Sequence, residues 1–165
     1  MKGWSFVALG EPGPQGSKRF MGTRGGHGVM VEASAKVKPW REAVKAAAPP
    51  GPTLDGPLAV AMIFTLKRPQ SARRSETVPY KTPDLSKLAR ATEDAITDAG
   101  LWADDARVAQ YCRLAKVWHP FDDDALYTPG VVVAAVEMEE QWHKELSELL
   151  TEAVFGHRLY WEGNR

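Results

Sequence analysis

The sequence predicts a single α/β (α+β) domain, with helices packed on a mixed β-sheet. Three observations predict it. At 165 residues the chain has room for one core and is too short for two comfortable domains. Its composition, 44% hydrophobic and 25% charged, is that of a globular protein. Extended and helical periodicities follow one another as strand, helix, strand, helix, strand, strand, helix, with no internal repeat. A strand–helix–strand crossover brings parallel strands and a closing hairpin brings antiparallel ones, hence the mixed sheet.

The elements follow in order. Trp4 to Leu9 is a short apolar strand. In the next segment, GEPGPQGSKRF, Gly and Pro forbid regular structure, and Lys18 and Arg19 close a loop that presents cations. MGTRGGHGVMVEAS is Gly-rich without the spacing of a P-loop or a dinucleotide fingerprint, and is expected to be flexible. Lys38 to Ala48 forms a short helix with Trp40, Val44 and Ala47 on one side. After a turn-rich connector, LAVAMIFTL is so continuously apolar that it should be a strand covered on both faces.

From Leu85 to Ala99, Leu85, Leu88, Thr92, Ala95, Ile96 and Ala99 form one helical stripe, with Ser86, Arg90, Glu93, Asp94 and Thr97 opposite. Asp84 is placed to begin this helix and Gly100 to end it. ARVAQYCRLAKVW alternates as a strand, with Val108, Gln110, Cys112 and Leu114 on one side and Arg107, Ala109, Tyr111 and Arg113 on the other. Cys112, the single cysteine, reads as a small core residue and excludes an internal disulfide. GVVVAAVEM is a strand that can pair with it as a hairpin, and Asp122, Asp123 and Asp124 between them read as a solvated turn. Glu139 to Phe155 is an amphipathic helix ended by Gly156. No apolar run approaches the roughly 18 residues of a membrane span, and the N-terminus lacks a signal-peptide core, so a cytoplasmic protein is expected.

Net charge is zero, which argues against indiscriminate coating of nucleic acid. Its distribution is uneven: residues 1–90 carry +9 and residues 91–165 carry −9. Such halves form one basic and one acidic face, or help two copies associate. Lys67, Arg68, Arg73, Arg74 and Lys81 make a basic run immediately before the helix that Asp84 begins. Carboxylates at both ends of a helix beside such a run suit metal-dependent phosphodiester chemistry, because magnesium takes a few carboxylates together with water and phosphate oxygens.

The run Pro83-Asp84-Leu85-Ser86-Lys87-Leu88-Ala89-Arg90, followed by Asp94 and then Asp104-Asp105-Ala106-Arg107-Val108 ahead of a strand, resembles a family pattern. That pattern, P-D-x-D-N-L-x-K with a further aspartate and then D-D-x-x-V, belongs to the RusA-type Holliday junction resolvases, endonucleases often carried by phages and prophages. The EPGPQGSKR loop and Trp40-Arg41-Glu42-Ala43-Val44 extend the resemblance, so that residues 1–138 correspond to the family domain and 139–165 to an additional helix and tail.

The resemblance implies a Mg²⁺-dependent (or Mn²⁺-dependent) endodeoxyribonuclease that acts on four-way junctions as a homodimer. It implies Asp84 and Asp105 as metal ligands with Asp104 beside them, Asp94 as a further acidic position, and Arg90 in the cationic place of the family lysine. Lys18, Arg19, Arg73, Arg74, Lys81, Lys87 and Arg90 are the expected DNA contacts. Ser86 stands where the family has its second aspartate, and Glu93, two turns further along the same face, is the candidate replacement, within reach only if substrate or a partner chain lies there.

A helix over residues 85–99 is about 22 Å long and residues 100–104 reach about 17 Å. Asp84 and Asp105 therefore meet only if the helix ends near Ile96 and the chain folds back, or if antiparallel helices of two subunits complete the site; closure within one chain is the expectation. Two other functions fit the residues: a junction-binding protein whose cleavage is lost with Ser86, and a non-enzymatic interaction protein with acidic and basic faces.

Overall fold

The computed structural model describes residues 2–16, 18–32 and 35–164, of which 18–21 and 29–32 are described in their backbone alone. A single α+β domain is built on a four-stranded mixed sheet. Its strands are β1 (Gly3–Leu9), β4 (Leu58–Thr65), β5 (Val108–Val117) and β6 (Gly130–Glu137), in the order β1-β6-β4-β5. β6 runs antiparallel to both β1 and β4, and β4 is parallel to β5. Three helices cover the sheet: α1 (Val37–Ala47), α2 (Leu85–Asp98) and α3 (Trp142–Gly163).

β4 and β6 are buried along their whole lengths because both faces are covered. Leu58, Val60, Met62, Phe64, Val131, Val133 and Ala135 point to the face carrying α1 and α2. The alternate residues, including Ala59, Ile63, Val132, Ala134 and Val136, point to the other face, where α3 packs through Trp142, Leu146, Leu149 and Val154. The period of two residues thus splits continuous apolar strands into two cores. On the first face the predicted α2 stripe is buried, and its one polar member is satisfied: Trp40 Nε1 donates to Thr92 Oγ1 at 3.0 Å, and that hydroxyl donates to the Leu88 carbonyl at 2.9 Å.

Several expectations need correction. Residues 18–32 form a two-stranded antiparallel hairpin, β2 (Lys18–Arg24) and β3 (His27–Glu32), in place of a cation-presenting loop and a flexible stretch. Gly25 and Gly26, at φ of 59° and 81°, make the tight turn. β6 does not pair with β5, since β4 lies between them.

β5 does not alternate simply: Leu58 opposes Val108, Val60 opposes Tyr111 and Met62 opposes Leu114, because register shifts leave Ala109 and Cys112 as extra residues. Each bulge moves the following side chains to the opposite face. Tyr111 therefore joins Val108 and Leu114 against the α2 core, and Cys112 is exposed. Finally, α3 continues through Gly156 to Gly163. Glycine lowers helix propensity by about 1 kcal/mol, which packing of Val154 and His157 on either side offsets.

The aspartate turn is not simply solvated. Arg113 grips Asp122 through both carboxylate oxygens at 2.7 and 2.8 Å and also pairs with Asp124. Among the described residues no helix is long and apolar enough to cross a membrane.

Candidate active site

Asp84 occupies the N-cap position of α2 with extended backbone angles, yet its carboxylate accepts no helix N–H. It remains exposed and pairs with Lys87 at 3.4 Å. Lys116 of β5 anchors the chain just before it, donating from Nζ to the carbonyls of Lys81 and Pro83. Asp84 opens onto a cleft of about 600 Å³ between the loop after β1 and the loop after β4.

Asp105 stands at the other end of the β4–α2–β5 unit. α2 ends at Asp98 and Gly100 turns the chain at φ 73°, as expected of it. Trp102 then bridges to Leu54, ahead of β4, and residues 105–107 form a single 3-10 turn. Asp104 caps this turn, its Oδ1 accepting from the Ala106 amide at 2.8 Å, while Arg107 pairs with Asp55 at 2.7 Å.

The turn packs against α2, and the charge of Asp105 is felt at Glu93. Glu93 is half-buried and accepts a hydrogen bond from the Tyr111 hydroxyl. Lost hydration raises the Glu93 carboxyl above its ordinary pKa; the Tyr111 bond opposes this, and the charges of Asp105 and Asp94 add to it. Burial and the adjacent carboxylates push the Tyr111 hydroxyl far up, so it stays protonated and donating. Glu93 thus lies within the electrostatic influence of Asp105 in the same chain.

Asp84 lies nine residues before Glu93, about 14 Å of helix rise. α2 does not end near Ile96 but runs to Asp98, so the early helix end on which closure of Asp84 onto Asp105 within one chain depended is absent. Among the described residues, no three His, Cys, Asp or Glu side chains form a group that could hold a metal ion.

Ser86 and Arg90 are exposed on the face of α2 that carries Glu93, and Arg90 is near enough to temper the rise in its pKa. Asp94 faces α1, where Arg41 holds it at 3.6 Å and Asp98 at 2.7 Å. Of the expected DNA contacts, Arg73, Arg74, Lys81 and Lys87 are exposed, and the last two line the cleft. The side chains of Lys18 and Arg19 lie outside the described residues.

Sequence reasoning missed Tyr111, which simple alternation assigned to the wrong face, and the cleft residues Gln15, Lys36 and Tyr80. The EPGPQ loop was the available signal, because Pro12 and Pro14 stiffen the wall they line.

A search of curated proteins found no match to the chain. A family profile described as endodeoxyribonuclease RusA matches residues 10–120. That span runs from the loop after β1 to the turn after β5, and so contains both walls of the cleft, all of α2, Glu93, Asp105 and Tyr111. Covering two thirds of the sequence, the match places this chain in the RusA family of endodeoxyribonucleases, enzymes that resolve DNA junctions.

Proposed function

We propose that the protein hydrolyses phosphodiester bonds at four-way junctions with a divalent cation, Mg²⁺ or Mn²⁺, acting in the cytoplasm as a homodimer. The observation that carries this reading is the match to the endodeoxyribonuclease family over residues 10–120, which contains Asp84, Asp105 and the Arg90-bearing face of α2 where Glu93 feels the charge of Asp105. Two carboxylates suit an ion that keeps most of its waters, as magnesium does, so the residues present fit it without a three-carboxylate cage. Asp105 and Glu93 would hold it, with Asp104 alongside. When bound, the ion lowers the pKa of water and neutralises charge developing on phosphorus.

The remaining chemistry belongs to the chain. The planar guanidinium of Arg90 grips a phosphate and takes no part in proton transfer. Tyr111 orients Glu93. Lys81, Lys87, Arg73 and Arg74, with Lys18 and Arg19, hold the strands by their phosphates. Water oxygen bonds to phosphorus as the bond to one bridging oxygen breaks. Asp84, about 14 Å of helix away from Glu93, acts on the same phosphodiester from a second copy whose α2 lies antiparallel.

Cleavage of a synthetic four-way junction tests the whole reading, and mixing variants tests the dimer. Asp84→Asn and Asp105→Asn proteins should each be inactive alone, and cleavage should return on mixing, because one of the two composite sites then has both aspartates. No recovery on mixing would place both residues in a single-chain site. Ser86 supports a second reading, a junction-binding protein that no longer cuts. Tight junction binding without cuts in Mg²⁺ or Mn²⁺ would select it.

A further inference from the structure

The cleft beside Asp84 is fixed on both sides before any ligand arrives. On one wall Gly13 packs so closely on the Lys36 carbonyl that a Cβ would come within 2.2 Å of it. The Gln15 amide donates to the Lys87 carbonyl at 2.9 Å, tying this wall to the first turn of α2. On the other wall Arg68 donates to the carbonyls of Arg73 and Glu76 while its guanidinium lies 5.4 Å from the Trp118 and Phe121 rings. Tyr80 donates from its hydroxyl to Glu76 at 2.9 Å, which orients a ring that is 65% exposed.

Three kinds of chemistry meet there. Lys36 and Lys87 are paired with Glu11 and Asp84, but Lys67 and Lys81 make no ion pair among the described residues, and Lys81 sits 5.4 Å from the Tyr80 ring. The Tyr80 ring offers a π face. Gln15, which lines the cleft, has its Oε1 buried with no hydrogen-bond partner among the described residues, an acceptor that a turn of this side chain would present to a ligand. Cation, aromatic face and acceptor match the phosphate, the ring and the N–H edge of one nucleotide. The volume of about 600 Å³ falls among cavities that hold molecules of this size, about 300–1,000 Å³. A paired base has its faces stacked and its edge occupied, so only an unpaired one offers all three.

We propose that this cleft takes a single unpaired nucleotide of the DNA strand, its base stacked on Tyr80, its edge donating to Gln15 Oε1 and its phosphate held by Lys67 and Lys81. The inference rests on the reading of the chain as a nuclease of branched DNA, where bases at the branch point are free to leave the stack. It gives the enzyme a way to tell a branch from continuous duplex next to Asp84.

A short single strand carrying one 2-aminopurine, titrated with the full chain in the presence of a chelator, tests it. Fluorescence should fall as the base stacks. Tyr80→Ala should abolish the quenching and weaken strand binding about tenfold, while Tyr80→Phe keeps both. Duplex affinity should change less than about twofold in either variant. Unaltered strand binding and quenching by Tyr80→Ala would overturn the proposal even where Lys81→Ala weakens binding, because that pair of results leaves only a phosphate-binding surface. Neither metal nor cleavage is needed. A protein that quenches the strand but cuts no junction therefore loses the nuclease reading and keeps the cleft, and the converse result does the opposite.

Discussion

Glu93 accepts its hydrogen bond from Tyr111 in a half-buried position, and lost hydration, with the charge of Asp105 adding to it, holds its pKa above the ordinary carboxyl value. A carboxyl raised in the folded state binds its proton more tightly there than in the unfolded chain. Stability from this group is therefore present below the unfolded pKa and is lost as pH rises through the folded one. Glu93→Gln should keep the Tyr111 bond, melt higher than the parent at pH 7 and match it near pH 4, while junction cleavage falls; thermal melts at both pH values check it. Equal melting at pH 7 would remove the electrostatic cost assigned to this residue. Glu137 has the opposite sign: the amides of Asp55 and Gly56 donate to its carboxylate and, with Lys2, lower its pKa. Its contribution is present at neutral pH and is lost as pH falls through the depressed folded value. Glu93 was visible in the sequence as an acid on the Ser86 face; its partnership with Asp105 was not, since it depends on where residues 99–105 turn back.

Among the elements, the loop after β4 has little regular structure, yet Arg68 organises it. The sequence places Arg68 within a basic run that reads equally as a solvated loop or a phosphate-contacting one, whereas its side chain points inward to Trp118, Phe121 and two carbonyls of the loop. Arg68→Ala should cost about 1–2 kcal/mol from the lost cation–π and carbonyl contacts. It should also open residues 69–76 to protease while leaving α2 protected from hydrogen exchange; limited proteolysis and exchange measurements check this. α2 itself was legible almost to the residue, because a 3.6-residue stripe bounded by Asp84 and Gly100 needs no information from elsewhere. β5 was legible as a strand and not in its faces. Bulges at Ala109 and Cys112 answer to the register with β4, which no local pattern contains.

Across the whole molecule, α3 is the second cover of the sheet. The family match stops at residue 120, before β6 and α3, and residues 139–165 read from the sequence as an addition. In the fold they close a core made by Ala59, Ile63, Val132, Ala134 and Val136. A chain truncated after Met138 should lose its cooperative thermal transition and bind a hydrophobic dye, because continuous apolar strands cannot present one face to water. A truncated protein that melts normally would make α3 dispensable to folding.

The sequence by itself determined the mixed α/β architecture, the position of α2 and the double burial of β4, since these follow from periodicities of two and 3.6 residues within single segments. It also carried the acidic motif by which the family is recognised. Only the tertiary structure decided that β6 sits between β1 and β4, that Tyr111 turns toward α2 and donates to Glu93, and that Asp84 lies with the lysine-lined cleft. The physical reason is the same in each case: strand order, bulges and loop reversals are set by packing between segments distant in the chain, and no local pattern of residues records them.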